Sequence, residues 1–189
     1  MSAVPDLHTL FHLFPPASYV HDYTIVSADQ VPQPYRDLLV HEHHMTVTLE
    51  AHHGSLVDVK VLEKKRSGNS YARKILLALQ SDGRIVQFGL VRIWLHFCSP
   101  QVRAEILTEA TPIGRILINH NVLRRIEPMQ YLRLTPGPDM VQWFGLAAPE
   151  ITYGRVALIH CDAQPAVELL EIVAPEFVPP RSPTPWMGS

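Results

Sequence analysis

Two arginines, one glutamate and a short glycine-containing turn have the residue types and positions that point to chemistry. Read with the period-two alternation of a strand, Arg73 falls on the side of Tyr71, Ile75 and Leu77. Glu171 falls with Val167, Leu169 and Val173, and Arg155 beside Tyr153 and Ala157. A charge among apolar neighbours costs on the order of several kcal/mol unless it finds a partner. Three readings are open. Arg73 and Glu171 pair with each other, they face a buried ligand, or these faces are solvent faces. Glu168 sits opposite Glu171 along the strand, so a slip of one residue exchanges the two.

The turn is Thr111-Pro112-Ile113-Gly114-Arg115. Thr111 is suited to cap a helix, Pro112 to occupy its first position, and residues 113–118 to continue it. Such a start leaves the N–H groups of Ile113 and Gly114 at the positive end of the helix dipole. Gly114 has no side chain to shield them, and Arg115 adds a cation, so a carboxylate or phosphate fits there. An ordinary capped helix whose glycine packs on a neighbour is the plain alternative.

Other chemistries are set aside on spacing. Histidine is abundant, with 11 residues, and gathers at His41, His43, His44, His52 and His53. His41-Glu42-His43-His44 lacks the zinc-protease spacing, and Glu50 with His53 makes one helical pair where a di-iron bundle needs two. No metal site is expected, and the histidines are read as solvated or as a pocket rim. No nucleophile elbow or phosphate-binding glycine loop is found, and neither Cys98 nor Cys161 has neighbours that activate a thiolate.

These side chains need a scaffold, and the hydrophobic periods supply one. Short helices are expected over 7–14, 34–40, 45–53, 100–110, 111–118 and 138–144. Strands are expected over 56–62, 71–79, 84–97, 122–134, 151–161 and 166–173. Turns at 67–70, 81–83 and 162–164 make hairpins of neighbouring strands. The expectation is α+β, a single domain with a six-stranded antiparallel sheet and short helices.

The chain has 189 residues, 47% hydrophobic and 18% charged, which is globular composition. A net charge of -2 gives no general attraction to nucleic acid or anionic membrane, so neither is expected as a partner. No apolar run reaches membrane-spanning length, Met1 to Asp6 has no signal-peptide character, and two cysteines make no disulfide framework. A reduced cytoplasmic protein is the expectation. Of 17 prolines, several lie after Pro175, where Pro179-Pro180-Arg181-Ser182-Pro183-Thr184-Pro185 reads as an extended tail. The expected organisation is an extension over 1–33, a domain over 34–175 and a proline-rich tail over 176–189.

In order along the chain, Leu38-Leu39-Val40-His41-Glu42 with Met45-Thr46, Tyr71-Ala72-Arg73-Lys74-Ile75-Leu76-Leu77, the Thr111 turn, Tyr153-Gly154-Arg155 and Glu168-Leu169-Leu170-Glu171 form a set. With them the chain resembles the chorismate pyruvate-lyase family and its bacterial and archaeal relatives, from about Pro34 to Pro175. The resemblance implies helices covering one side of the sheet and an enclosed ligand pocket. It implies Arg73 on a substrate carboxylate and Glu171 as the acid/base group, the two catalytic residues. Ile113, Gly114, Arg155, Met45 and Thr111 would bind substrate. The implied activity removes pyruvate from chorismate, or a related enolpyruvyl or aromatic acid, to give 4-hydroxybenzoate without a cofactor. Ile113 departs from the leucine usual there. The same fold serves as the effector-sensing half of some bacterial transcription regulators, so a non-catalytic module binding a small aromatic acid is the alternative. No basic helix-turn-helix precedes the sheet, which speaks against a complete regulator.

Overall fold

Alternating apolar residues make one long antiparallel sheet of this chain, and its register decides which charges share a face. The computed structural model describes residues 5–15 and 18–176. Helix α1 (Leu7–Phe11) and strand β1 (Val20–Val26) come first, then α2 (Tyr35–Leu39) and α3 (Met45–His53). Strands β2 (Val57–Ser67), β3 (Ser70–Leu79) and β4 (Ile85–Trp94) form a meander. Helices α4 (Pro100–Ile106) and α5 (Ile113–Asn119) cross to β5 (Arg124–Pro136). After α6 (Pro138–Trp143), β6 (Thr152–Cys161) and β7 (Gln164–Val173) complete a second meander. The sheet order is β1-β5-β6-β7-β4-β3-β2, so β7 and β4 join the two meanders at the centre.

Among the described residues seven strands replace the expected six. The added strand, β1, pairs antiparallel with β5 at the sheet edge, with Tyr23 opposite Leu134 and Ile25 opposite Leu132. It lies in the segment expected to be an extension. Its residues are mostly exposed, so the backbone ladder to the long β5 holds it rather than a buried face. The expected tail from 177 onward lies outside the described residues.

Helices cover both faces of the sheet, which corrects the expectation of one covered side. Leu7, Leu10 and Phe11 of α1 and Met140 of α6 pack with Ala72, Leu76, Phe88, Leu90, Val156, Leu170 and Ile172. On the opposite face, Val102 and Ile106 of α4 and Ile113, Ile116 and Leu117 of α5 cover Tyr71, Val91, Ile159 and Leu169. Beside them, Leu38 and Leu39 of α2 and Met45 and Leu49 of α3 cover Ile75, Leu77 and Val173. The tight β6–β7 connection places Asp162 and Ala163 at φ 49 and 64, the paired left-handed backbone of a two-residue hairpin. A one-residue register shift between Ile159 and His160, next to that turn, then sets the phase of β7. Glu171 therefore stands opposite Arg155, and Glu168 goes to the other face, where Arg92 Nε donates to it at 2.6 Å.

Among the described residues no helix is long and apolar enough to cross a membrane.

Candidate functional site

The face under α3 and α5 carries Arg73, Arg155 and Glu171, and the first question is which of them has a partner. Glu171 pairs with Arg155. Arg155 Nε donates to Glu171 Oε2 at 2.7 Å, and both side chains are buried. The rest of the guanidinium donates to backbone carbonyls, from Nη1 to Leu39 at 3.3 Å and His41 at 2.9 Å, and from Nη2 to His43 at 3.1 Å. Burial pushes the Glu171 carboxyl above its usual range, while Arg155 pulls against that shift. This pair, left open by alternation alone, clamps the segment between α2 and α3 onto β6.

Arg73 stands apart from that pair. Register places it opposite Val91, with Leu169 next in the row, whereas Glu171 lies in the row of Gly89 and Ile75. Two strand spacings and a two-residue offset put their Cα atoms roughly 12 Å apart. Arg73 has no exposed surface, and its Nε, Nη1 and Nη2 have no hydrogen-bond partner among the described residues. Burial draws its pKa down, with Tyr71 and Glu109 acting in the opposite direction. Glu109 itself is taken by Tyr71 Oη at 2.9 Å and Lys64 Nζ at 3.0 Å. A buried cation with three unpartnered nitrogens is the largest unexplained polar feature of this face.

The turn at Thr111 forms differently from its expected cap. The helix begins at Ile113 with Pro112 as the N-cap, and no side chain caps it, so Thr111 lies outside. Gly114 is there for close packing. A Cβ on it would stand 2.9 Å from Thr46 Oγ1 and 3.1 Å from His44 Cβ. Arg115 adds no free cation to the helix start, because it is paired with Glu50 of α3. That pairing also takes Glu50 away from His53.

Two small cavities lie between this helix start, the beginning of α3 and the sheet. One is bounded by His44, Gly114, Ile126 and Arg155, the other by Ile75, Gln87, Val91 and Pro112. Met45, Thr46, Ile113, Leu169 and Glu171 line both. Each is about 20 Å³. A single water needs roughly 10–15 Å³ by the same measure, so each has room for one water and not for a ring acid. Among the described residues, neither of these two cavities is an enclosed ligand pocket of substrate size.

Solvent comes close on one side. An open cleft of about 810 Å³, bordered by His43, His44, Val47, Leu123, Arg124 and Ile126, shares His44 and Ile126 with the first cavity. That volume falls in the range of small-molecule sites. His44 is buried, its Nε2 has no partner, and burial with nearby Arg124 pushes its pKa down to about 4. His41 is held neutral too, at about 4, by burial and by Arg155; its Nε2 lies 2.7 Å from the Leu38 carbonyl. Gln87 Oε1 is a further buried atom without a partner.

Of the residues expected at the site, Met45, Ile113, Gly114, Arg155 and Glu171 meet around the cavities, and Arg73 adjoins them through Ile75 and Val91. Thr111 does not line them. Thr46 and Gln87 were not foreseen as site residues, and His44 only as one of the clustered histidines. The histidine run marked His44 as a pocket rim, and nothing in the spacing of Gln87 distinguished it.

No family model matches the sequence, and no curated protein matches it. Backbone likeness is found to three solved bacterial structures, among others. A possible transcriptional regulator, YydK from Bacillus subtilis, is 12% identical at TM-score 0.44, over 65% of this chain and 60% of that one. PhnF from Mycobacterium smegmatis is 12% identical at TM-score 0.44, over 69% and 63%. A GntR-family transcriptional regulator from Bacillus cereus is 14% identical at TM-score 0.40, over 65% and 96%. The chain thus spans less than two thirds of the length of the first two. With no family model or curated protein matching, and with two of these neighbours regulators by name and none named a lyase, the expected membership in the chorismate pyruvate-lyase family is corrected. The expected lyase activity is corrected with it; Glu171 is engaged by Arg155, and the two cavities beside it have room for a water each. The expectation that nucleic acid plays no part is not retained. Likeness at these scores carries no function to this chain.

Proposed function

We propose that the chain is a non-catalytic module that binds a small organic anion and signals its presence, the ligand-sensing role found in transcriptional regulators. Arg73 carries this reading. An unpaired guanidinium in an apolar interior is held at a cost of several kcal/mol, roughly what a carboxylate ligand would return by satisfying its donors. Guanidinium geometry favours a flat bidentate acid. Gln87 Oε1 and His44 Nε2 add polar atoms on the same side. Thr46, Ile113 and Gly114 would contact the ligand, which would approach through the open cleft past His44. Room for more than a water requires the 41–44 segment to move, and Arg155 is the residue that pins it.

The test is titration calorimetry of the chain with benzoate and 4-hydroxybenzoate, beside an Arg73→Met variant. Saturable binding to the parent, weakened at least tenfold in the variant, is expected. Equal affinity in both, or no binding of either acid to the parent, would overturn the proposal.

A further inference from the structure

At the far end of α3 from these cavities, two histidines and a glutamate converge. His52 Nε2 lies 3.5 Å from Glu176 Oε2, and His53 Nε2 lies 3.6 Å from Glu176 Oε1. The three ligand atoms lie within 4.8 Å of one another. These separations are longer than hydrogen bonds, which run about 2.7–3.2 Å. They are close to the roughly 3.4 Å between neighbouring ligand atoms of a tetrahedral ion with bonds near 2.1 Å. His53 Nε2 is also a buried atom without a hydrogen-bond partner, although a carboxylate oxygen is nearby.

We propose that His52, His53 and Glu176 bind a divalent transition-metal ion of the zinc class. Two imidazoles and one carboxylate suit zinc, cobalt, nickel or copper rather than calcium or magnesium. Three protein ligands leave a coordination position open. The Gly54 backbone at φ 64 ends α3 directly after His53, so the two histidines, about 100° apart on the last helical turn, stand at the helix terminus. Their rings meet edge to face at 4.7 Å between centroids. Glu176 is held from the other side, its backbone N–H donating to Tyr35 Oη at 2.9 Å. The ion would therefore tie the end of α3 to the chain leaving β7.

One contact opposes the site. Arg84 Nη2 lies 3.4 Å from His53 Nδ1, the nitrogen that must carry the proton when Nε2 binds metal. Arg84 is half exposed and has Asp82 Oδ2 at 3.9 Å from its Nε, so it has a carboxylate to turn to instead.

The experiment is calorimetric titration of the full chain with zinc chloride, followed by the visible spectrum of the cobalt-loaded protein. One ion per chain is expected, with cobalt bands of four- or five-coordinate intensity. His53→Ala and Glu176→Gln should each weaken zinc at least tenfold. His8→Ala/His12→Ala, which removes the stacked pair on α1, should leave affinity unchanged, and Arg84→Gln should tighten it. Circular dichroism checks that each variant folds; should His53→Ala fail there, Glu176→Gln and Arg84→Gln decide. Zinc binding that is absent, insensitive to Glu176→Gln, or lost with His8 and His12 overturns the site.

Discussion

Arg155 and Glu171 face each other across neighbouring strands β6 and β7, 2.7 Å from Nε to Oε2, and only the arginine has further partners. That asymmetry predicts unequal mutants. Glu171→Leu leaves a buried cation that keeps three carbonyls. Arg155→Met leaves a buried carboxylate and also strands the carbonyls of Leu39, His41 and His43. Losing one partner of a buried pair costs about 3–5 kcal/mol, and the orphaned carbonyls add to that. Urea unfolding should rank Arg155→Met as the less stable. Hydrogen exchange should show residues 39–43 opening in that variant alone. Equal losses below about 1 kcal/mol would remove the clamp from the account.

Arg73 predicts the reverse sign. Its guanidinium is buried without partners, so an apolar side chain of similar length should be better tolerated by the empty protein. Arg73→Met should raise stability by about 1–4 kcal/mol in urea, the gain seen when buried ions give way to packed apolar groups. Anion binding would be lost at the same time. A destabilised Arg73→Met would mean that the arginine has structural work, and the proposed ligand would lose its main support.

Much of this arrangement was legible in the sequence, and the physical reasons for the misses differ. Six strands and six helices follow from period and turn chemistry, because each has an apolar face. Strand β1 has none: Tyr23 and Ile25 are exposed, and pairing with β5 supplies what a local pattern cannot. Alternation placed Arg73, Arg155 and Glu171 on side-chain faces but left their partners open, since partnership depends on strand order. With β6 beside β7 and β3 two strands from β7, Glu171 meets Arg155 and misses Arg73. Spacing likewise paired Glu50 with His53, whereas Glu50 turns to Arg115 and Glu176 arrives from more than a hundred residues away.

His44 predicts acid sensitivity. Its pKa is about 4 in the folded chain, against about 6.5 when unfolded. The unfolded chain therefore binds more protons between these values. The stabilising contribution is whole above about pH 6.5 and fades as pH falls toward 4. For a group this buried the loss is about 3 kcal/mol, and His41, shifted in the same direction, adds to it. The difference in urea midpoint between pH 7 and pH 4 should be smaller in His44→Leu than in the parent. An identical pH dependence would mean that His44 is already protonated or exposed.

Gly114 sets two known effects against each other. Alanine in a helix gains up to about 1 kcal/mol over glycine, and less in the first turn, where Gly114 is the second residue of α5. Here the added Cβ would meet Thr46 Oγ1 at 2.9 Å and two His44 atoms at 3.1 and 3.2 Å, all in buried residues where α5 packs on the start of α3. Overpacking costs about 1–3 kcal/mol, so the steric side should win. Gly114→Ala is expected to lower the thermal midpoint, and adding Thr46→Ser should not restore it, because serine keeps the offending oxygen. Thr46→Ala should restore part, leaving the His44 contacts to account for the rest. If Gly114→Ala instead raises the midpoint, the helices are not closely packed at this point, and the 41–44 segment already has the freedom that ligand binding was argued to require.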